Sequence, residues 1–425
     1  MRDIWQLVFG RNCFVKGDRG TYMMDSKKLY RIRQHTAQNA VWILAVAVQA
    51  LFTVLEWSDF WLQPGPATTQ NRFLCFFINA QSALCATISL LCLTALALHG
   101  RQLVRTLAEM RSVVISLEKG HCVERQLRTA WMGLHVLVLG FLTYALVLLL
   151  QPLAISPDDA NTTNYAFFNV SPQQRQTLRQ TIRISAMAII QGAYSTVTLL
   201  LLRFGYTAKS FNQQLREYSA NNRHRSNIRR METLDAAMDQ SFDSTDAIVG
   251  WPAVTLFLVC FVAIMEGVAH IVEFPNELAS DNIARLLAFP LYYGCLVIST
   301  VLLAEWSAKQ RFETIIIWSR MITQNNEQPV QESRQNGNGQ VGLASGGKTE
   351  PMGHPMPDTI SRNRLLVAPY DSLTCKYYTA AEFFLLNRAA LLQNAAYVVM
   401  IASINIWARR EVPAPAAPPA AVGSQ

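Results

Sequence analysis

Long apolar runs separated by polar, basic stretches dominate the chain. Six of the runs are long enough to cross the roughly 30 Å hydrocarbon layer of a bilayer as a helix. They lie at 40–57, 73–98, 130–155, 184–205, 247–272 and 286–305. A backbone in hydrocarbon must satisfy its own hydrogen bonds, so each run predicts a transmembrane helix.

A seventh and weaker run lies near the end of the chain. Residues 389–408 are apolar apart from a few amide and hydroxyl side chains, and the apolar pattern already starts at Tyr377. It predicts one long helix over 377–408, whose first part projects into the cytosol because the whole exceeds one bilayer. The predicted fold class is therefore an all-α membrane protein with seven transmembrane helices.

The distribution of basic residues predicts the orientation. Of the 37 Lys and Arg residues, 29 fall in alternate segments that include the N-terminus, and seven fall in the intervening ones. The basic segments are 1–39, 99–129, 203–246 and 306–376. Because basic loops stay in the cytosol, the N-terminus is expected to be cytoplasmic and the C-terminus extracellular.

The same map divides the chain into regions. They are a cytoplasmic segment 1–39, a six-helix region 40–305, a cytoplasmic loop 306–376, the last helix 377–408 and an extracellular tail 409–425. Within the loop, residues 325–363 are rich in Gln, Asn, Gly, Ser and Pro, which predicts disorder, and the tail is rich in Pro and Ala.

Composition supports a membrane protein and argues against other classes. Charged residues make up 16% of the chain, against about 25% in soluble domains. The net charge of +8 follows from the basic inner segments, so no nucleic-acid partner is expected. No phosphate loop, dinucleotide fingerprint or nucleophile elbow is present, which predicts neither an enzyme nor a cofactor. None of the eight cysteines has zinc-ligand spacing, so no metal site is expected.

The predicted outer loop 155–184 carries two acceptor triplets for N-glycosylation. They begin at Asn161 and Asn169, and Pro172 directly after the second triplet weakens it. Both asparagines are candidate glycosylation sites, in agreement with the predicted topology.

Polar residues in the outer halves of the spans are candidates for a ligand pocket, because polar groups in hydrocarbon are costly. The candidate ligand-binding residues are Tyr144, Gln151, Gln191, Tyr194, Glu266, His270, Tyr292 and Tyr293. Glu266 and His270 are one helical turn apart, so they could pair with each other, face a ligand, or touch interfacial water.

The last span carries a polar stripe. Gln393, Tyr397, Ile401 and Ile404 recur at helical spacing, and Asn394 begins an adjacent stripe. Such a helix suits a water-lined pore with apolar constrictions. It equally suits hydrogen bonding between helices.

A family resemblance comes from the residues that precede this stripe. The stretch AAEFFLLNRAALL, from Ala380 to Leu392, resembles the opening of the last helix of insect gustatory receptors. That family closes the helix with Thr-Tyr, five apolar residues and Gln-Phe, whereas this chain has Ala396-Tyr397, five residues and Ser403-Ile404. The chain therefore resembles a divergent member, and the related odorant receptors share the architecture.

The resemblance implies a function in taste or another chemical sense. It implies a receptor in the plasma membrane that acts as a ligand-gated, non-selective cation channel. The pore would be lined by the last helices of a homo- or heterotetramer. Each subunit would bind a small-molecule ligand, and membrane lipid would surround the tetramer. The missing Gln-Phe pair leaves a non-conducting accessory or scaffold subunit as the main alternative.

Three other classes fit less well. A transporter should show internal repeats with matched interruptions, and Pro252 and Pro290 are not arranged in that way. A G-protein-coupled receptor has the opposite orientation. A membrane-embedded enzyme requires clustered histidines or carboxylates, and the seven histidines are scattered.

Overall fold

The structure, a computed structural model, describes eleven stretches of the chain. They are 14–16, 22–24, 36–62, 72–117, 120–150, 164–165, 168–169, 172–221, 225–273, 280–335 and 377–411. These stretches are almost entirely helical, as the sequence predicted. Most of the N-terminal segment 1–39, which the sequence predicts to be cytoplasmic, and of the tail 409–425 lies outside the described residues.

Seven helices form the described part of the molecule. They are α1 (Thr36–Leu62), α2 (Arg72–Ser116), α3 (Gly120–Leu150), α4 (Pro172–Asn221), α5 (Arg225–Glu273), α6 (Ser280–Gln335) and α7 (Arg388–Glu411). Pro172 suits the first position of α4, where its missing N–H has no partner to lose. Among the described residues, five helices are long and apolar enough to span a membrane, namely α1, α2, α4, α5 and α6.

Three short hairpins complete the described residues. They are formed by β1 (Phe14–Lys16) with β2 (Tyr22–Met24), β3 (Asn164–Tyr165) with β4 (Phe168–Asn169), and β5 (Thr379–Ala380) with β6 (Phe384–Leu385). All three pairs are antiparallel.

Four helices are far longer than a bilayer requires. α2, α4, α5 and α6 contain 45, 50, 49 and 56 residues, which correspond to about 68–84 Å. The basic segments 99–129 and 203–246 are therefore mainly helical continuations of the spans. A count of charged residues does not distinguish a loop from a helix with a polar surface. For this reason the sequence predicted that each helix ends at the membrane.

The helices pack into one bundle with a continuous core. α2 packs on α4 and α5, α6 packs on α4 and α5, and α3 lies against α4 and α6. At one close approach a side-chain β-carbon on Gly205 of α4 would lie 2.1 Å from Cζ3 of Trp306 on α6. Glycine is therefore needed for α4 and α6 to meet there.

The prediction of one helix from Tyr377 is wrong. Residues 379–385 form the β5–β6 hairpin, and α7 begins only at Arg388. Ala381 and Glu382 have φ angles of 47° and 66°, which no right-handed helix contains. The Oδ1 atom of Asn387 accepts a hydrogen bond from the N–H of Ala390 at 2.9 Å, so Asn387 caps the first turn of α7.

The predicted disordered segment 325–363 begins too early. α6 continues to Gln335, so residues 325–335 are helical. Glutamine and glutamate propagate a helix almost as well as leucine does, so polar composition alone was a poor guide there. The remaining part, 336–363, lies outside the described residues.

Candidate ligand cavity and pore helix

A small cavity lies between α2, α4, α5 and α6. Its volume of about 20 Å³ holds one water molecule. Its polar wall consists of Gln81, Ser82, Cys85, Arg183 and Tyr293. Alanine, methionine and phenylalanine side chains complete the lining.

A hydrogen-bonded relay runs from α4 and α2 at the wall of this cavity to Glu266 of α5. Arg183 donates from Nε to Oγ of Ser82 at 2.9 Å and from Nη2 to Oε1 of Gln81 at 3.2 Å. The amide nitrogen of Gln81 donates in turn to the carboxylate of Glu266. A neutral carboxamide therefore stands between a cation and an anion, both of them half-buried.

An ion pair lies one turn before Arg183 on α4. Arg179 pairs with Asp59 of α1, whose side chain is only 3% exposed. Ser185 donates to Gln49 of α1 at 2.9 Å, so α1 is tied to α4 on both sides of Arg183. Several buried or half-buried polar groups thus lie close together in this part of the bundle.

A second polar layer lies between α4 and α6. The hydroxyl of Tyr292 donates to Oε1 of Gln191 at 2.7 Å, and the hydroxyl of Tyr194 shares a hydrogen bond of 2.9 Å with Ser299. Both tyrosines are fully buried. The layer is closed by packing, so these residues hold two helices in register.

α7 lies on the outside of the bundle and exposes large apolar side chains. Leu392, Tyr397, Val399 and Ile404 are 69%, 50%, 64% and 55% exposed. Such a continuous apolar surface on a folded protein is typical of contact with lipid or with another protein.

The candidate pore residues occupy two sides of α7. Gln393 is exposed and its amide donates to the hydroxyl of Tyr397 at 3.4 Å, and Ile404 continues this exposed stripe. Ile401 is half-buried against a cluster that includes Phe77 of α2 and Met265 of α5. The side chain of Asn394 lies outside the described set.

The β5–β6 hairpin fastens the start of α7 to α5. The carboxylate of Asp246 accepts the backbone N–H of Thr379 at 2.5 Å and also the threonine hydroxyl. A β-carbon on Gly250 would lie 2.8 Å from the backbone nitrogen of Ala381. Only glycine therefore lets the turn of the hairpin approach α5 so closely.

Aromatic packing and an ion pair strengthen this attachment. The ring of Tyr378 stacks on Phe242 of α5 with centroids 4.4 Å apart, and its hydroxyl shares a hydrogen bond of 3.2 Å with Ser307 of α6. Burial raises the pKa of Tyr378, so the phenol stays protonated. Arg388, the first residue of α7, lies 3.2 Å from the carboxylate of Glu305 on α6.

A buried ion cluster lies further along α5 and α6. Arg311 of α6 pairs directly with Asp235 and Asp239 of α5, with a distance of 3.0 Å from Nε to the Asp239 carboxylate. The side chains of Arg311 and Asp235 are 8% and 7% exposed. The cluster joins α5 to α6 in the part of both helices that lies beyond the hairpin.

This arrangement of long helices matches solved structures. The insect olfactory receptor OR5 from Machilis hrabei superposes with a TM-score of 0.62 at 12% identity, over 96% of both chains. The chain has the fold of an insect olfactory receptor. The same receptor in complex with eugenol matches with a TM-score of 0.61 at 11% identity, again over 96% of both chains.

Comparisons of the whole sequence with known proteins do not detect this relationship. No protein-family model matches the chain, and no curated protein matches it by sequence. The resemblance to insect gustatory and odorant receptors, drawn from a short stretch around Asn387, is confirmed at the level of the olfactory-receptor fold.

Within this fold the predicted ligand residues separate into groups. Tyr293 lines the cavity, and Glu266 joins it through Gln81 rather than through His270. His270 is half-buried near the end of α5. Gln191, Tyr194 and Tyr292 lie in the packed layer between α4 and α6. Tyr144 belongs to α3 with its side chain outside the described set, and Gln151 lies outside the described residues.

The candidate glycosylation sites are only partly described. Asn161 lies outside the described residues, and Asn169 belongs to β4, where its backbone pairs with Asn164.

Three residues at the centre of the cavity were missed by the sequence reading. Gln81 and Ser82 interrupt the second apolar run, so the cost of polar groups in hydrocarbon would have identified them. Arg183 was counted as part of the outer loop because the fourth apolar run begins one residue later. In the structure it lies well inside α4, eleven residues after Pro172.

Proposed function

We propose that the protein is a chemosensory receptor that acts as a ligand-gated, non-selective cation channel in the plasma membrane. All seven helices cross the bilayer in this proposal, with the N-terminus in the cytosol and the C-terminus outside. The olfactory-receptor fold supports a receptor, and the apolar runs support a multi-pass membrane protein.

The observation that carries the channel proposal is the exposed face of α7. A helix held to the bundle at its start by a hairpin, with Gln393, Tyr397 and Ile404 along one exposed face, is incomplete as a single chain. Four copies around an axis would bury the apolar flanks against one another. The stripe would then line a pore in which Ile404 is an apolar constriction.

We place the ligand in the outer half of the bundle, at the cavity between α2, α4, α5 and α6. The solved complex of the Machilis hrabei receptor with eugenol supports a small organic molecule as the ligand for this fold. A cavity of about 20 Å³ is too small for such a molecule, so ligand entry must displace cavity side chains.

The experiment that tests this proposal combines whole-cell recording with a topology assay. Cells expressing the chain alone carry an N-terminal tag that is stained with and without permeabilisation. We expect staining only after permeabilisation, together with a ligand-evoked cation current. Staining of intact cells would overturn the topology and with it the receptor proposal. In the same cells, Asn161→Gln and Asn169→Gln should remove a glycosidase-sensitive mass shift if the loop is outside.

A single substitution tests the pore. Gln393→Leu should change conductance or ion selectivity while surface expression stays intact, because it removes a polar group from the proposed pore wall. Val399→Leu is the matched control, since Val399 is also exposed but lies on another side of α7. Currents that are unchanged in Gln393→Leu would remove Gln393 from the pore.

A non-conducting accessory subunit is the second candidate. The observation that favours it is Ser403-Ile404 at the position where the gustatory-receptor pattern has Gln-Phe. It predicts the expected topology without current from the chain alone. Co-expression with a conducting receptor would then alter the currents of that receptor.

A further inference from the structure

We infer that the cavity recognises a small zwitterion with α-amino-acid chemistry, whose carboxylate binds Arg183 and whose ammonium group binds Glu266. This inference rests on the proposed ligand-binding function. In this structure the carboxamide of Gln81 occupies the place of the zwitterion.

The contacts of the Gln81 carboxamide resemble those that an α-amino acid would make. The carbonyl oxygen of Gln81 accepts from Arg183, and its NH₂ group donates to Glu266. A carboxamide presents its acceptor and its donor roughly 2.3 Å apart, as the standard amide bond lengths require. An α-amino acid presents its carboxylate and its ammonium group at a similarly short spacing, with full charges in place of partial ones. Gln81 thus makes the contacts that a zwitterion would make more strongly.

The charge of Arg183 also favours an anionic group on the ligand. Three other half-buried or buried arginines have a carboxylate within ion-pair distance: Arg179 has Asp59, Arg203 has Glu124, and Arg311 has Asp235. The hydrogen-bond acceptors of Arg183 are the neutral groups of Ser82 and Gln81.

Glu266 shows the complementary pattern, because its hydrogen-bond donor is a neutral amide. A charge held away from water is stabilised most by a direct, hydrogen-bonded counter-charge. A ligand with one charge would satisfy only one of the two residues, whereas a zwitterion satisfies both and leaves the net charge of the site unchanged.

The size of the cavity favours a small ligand. Displacement of the Gln81 side chain enlarges a cavity that now has room for one water. The adjoining wall contains Ala186, Met187, Ala263 and Phe289, which are apolar and fit a small aliphatic group. Small amino acids such as glycine, alanine and serine therefore match the site better than long or aromatic ones.

The test is ligand binding to the purified full-length protein in lipid nanodiscs, measured as the shift of the thermal unfolding midpoint with ligand concentration. L-alanine is the probe. Propionate lacks its ammonium group and ethylamine lacks its carboxylate, so these two are the matched half-molecules. L-alanine should raise the unfolding midpoint in a saturable manner, and either half-molecule at equal concentration should not.

Substitutions locate the site. Arg183→Gln and Glu266→Gln should each weaken L-alanine binding by about tenfold or more, because each removes one charge-assisted hydrogen bond. Arg216→Gln, which removes a charge from an exposed pair with Glu313, should leave binding unchanged. Gln81→Ala should bind L-alanine more tightly, because the competing carboxamide is gone. A Gln81 whose role is only structural predicts weaker binding in that variant.

The outcomes separate this inference from the proposed function. An absent midpoint shift at about 10 mM L-alanine, or equal shifts from the half-molecules, would overturn the zwitterion site. Cation currents evoked by an uncharged ligand, without L-alanine binding, would refute the inference while the channel proposal stands. Saturable L-alanine binding that depends on Arg183 and Glu266 supports the inference even if the chain alone passes no current.

Discussion

Arg183 and Arg311 lie in different parts of the same helical bundle and meet different partners. Arg311 contacts two carboxylates directly, and its side chain is 8% exposed. Arg183 contacts a serine hydroxyl and an amide oxygen, and the nearby carboxylate of Glu266 is bonded to the same amide. Along α6, Tyr293 beside Arg183 is about 27 Å from Arg311.

The difference separates a structural ion cluster from a candidate recognition site. The cation of Arg311 is neutralised by carboxylates within the chain, so the cluster joins α5 to α6 and leaves no unpaired cation for a ligand to bind. At Arg183 and Glu266 the opposite charges are separated by the neutral side chain of Gln81. A bundle that is closed where the hairpin attaches and adjustable at the cavity is suited to a receptor, since ligand binding can then act on one region while the other stays assembled.

The largest expected effect comes from breaking the closed cluster. Arg311→Leu leaves Asp235 buried without its cation and should destabilise the protein by about 3–5 kcal/mol. The measurement is the midpoint of thermal unfolding in detergent micelles. Arg216→Leu is the control, because an exposed pair contributes at most about 1 kcal/mol. Equal midpoints for the two variants would show that the Arg311 cluster contributes no more than a surface pair.

An intermediate effect is expected at the hairpin contact. Gly250→Ala places a β-carbon 2.8 Å from the backbone nitrogen of Ala381, so the hairpin must shift. Overpacking of this kind costs about 1–3 kcal/mol. Gly294→Ala is the matched control beside Tyr293, since a β-carbon there meets no atom within 4 Å. If Gly294→Ala lowers the unfolding midpoint more than Gly250→Ala does, the contrast between a closed and an adjustable region fails.

The smallest effect on stability is expected at the cavity. Arg183→Gln removes a cation whose described hydrogen-bond partners are neutral, and the amide nitrogen of glutamine, at the position of Nε, can still donate to Ser82, so the loss should stay below about 1 kcal/mol. The same thermal measurement applies, with Arg311→Leu for comparison. A fall in midpoint as large as that of Arg311→Leu would make Arg183 a structural residue and remove the distinction between the two arginines.

Hydrophobic periodicity predicted much of this fold, and its errors have physical causes. Five of the apolar runs coincide with helices that are long and apolar enough to cross a membrane, because a crossing demands about 20 apolar residues in succession. The same criterion says nothing about a helix that continues into water, so the polar half of α4 after Arg203 read as a loop. The apolar residues directly after Tyr378 belong to the β5–β6 hairpin and not to a helix. Asn387 marks the start of α7 after the hairpin, and its capping role depends on one side-chain hydrogen bond.

The candidate site was harder to predict than the fold. Tyr293 and Glu266 were found because polar residues in a span are conspicuous. Gln81 was overlooked within an otherwise apolar run, and no pattern in a single sequence places its amide between Arg183 and Glu266. That arrangement depends on the rotation of three helices relative to one another, which is set by packing across the bundle.

The hairpin before α7 also makes the helical bundle divisible. Stacking of Tyr378 on Phe242, the bonds from Asp246 to Thr379 and the pairing of Arg388 with Glu305 are all non-covalent. These contacts hold the start of α7 against α5 and α6. The chain could therefore be supplied as two polypeptides cut between residues 336 and 376, and α7 with its hairpin would dock onto the remaining six helices as an exchangeable part.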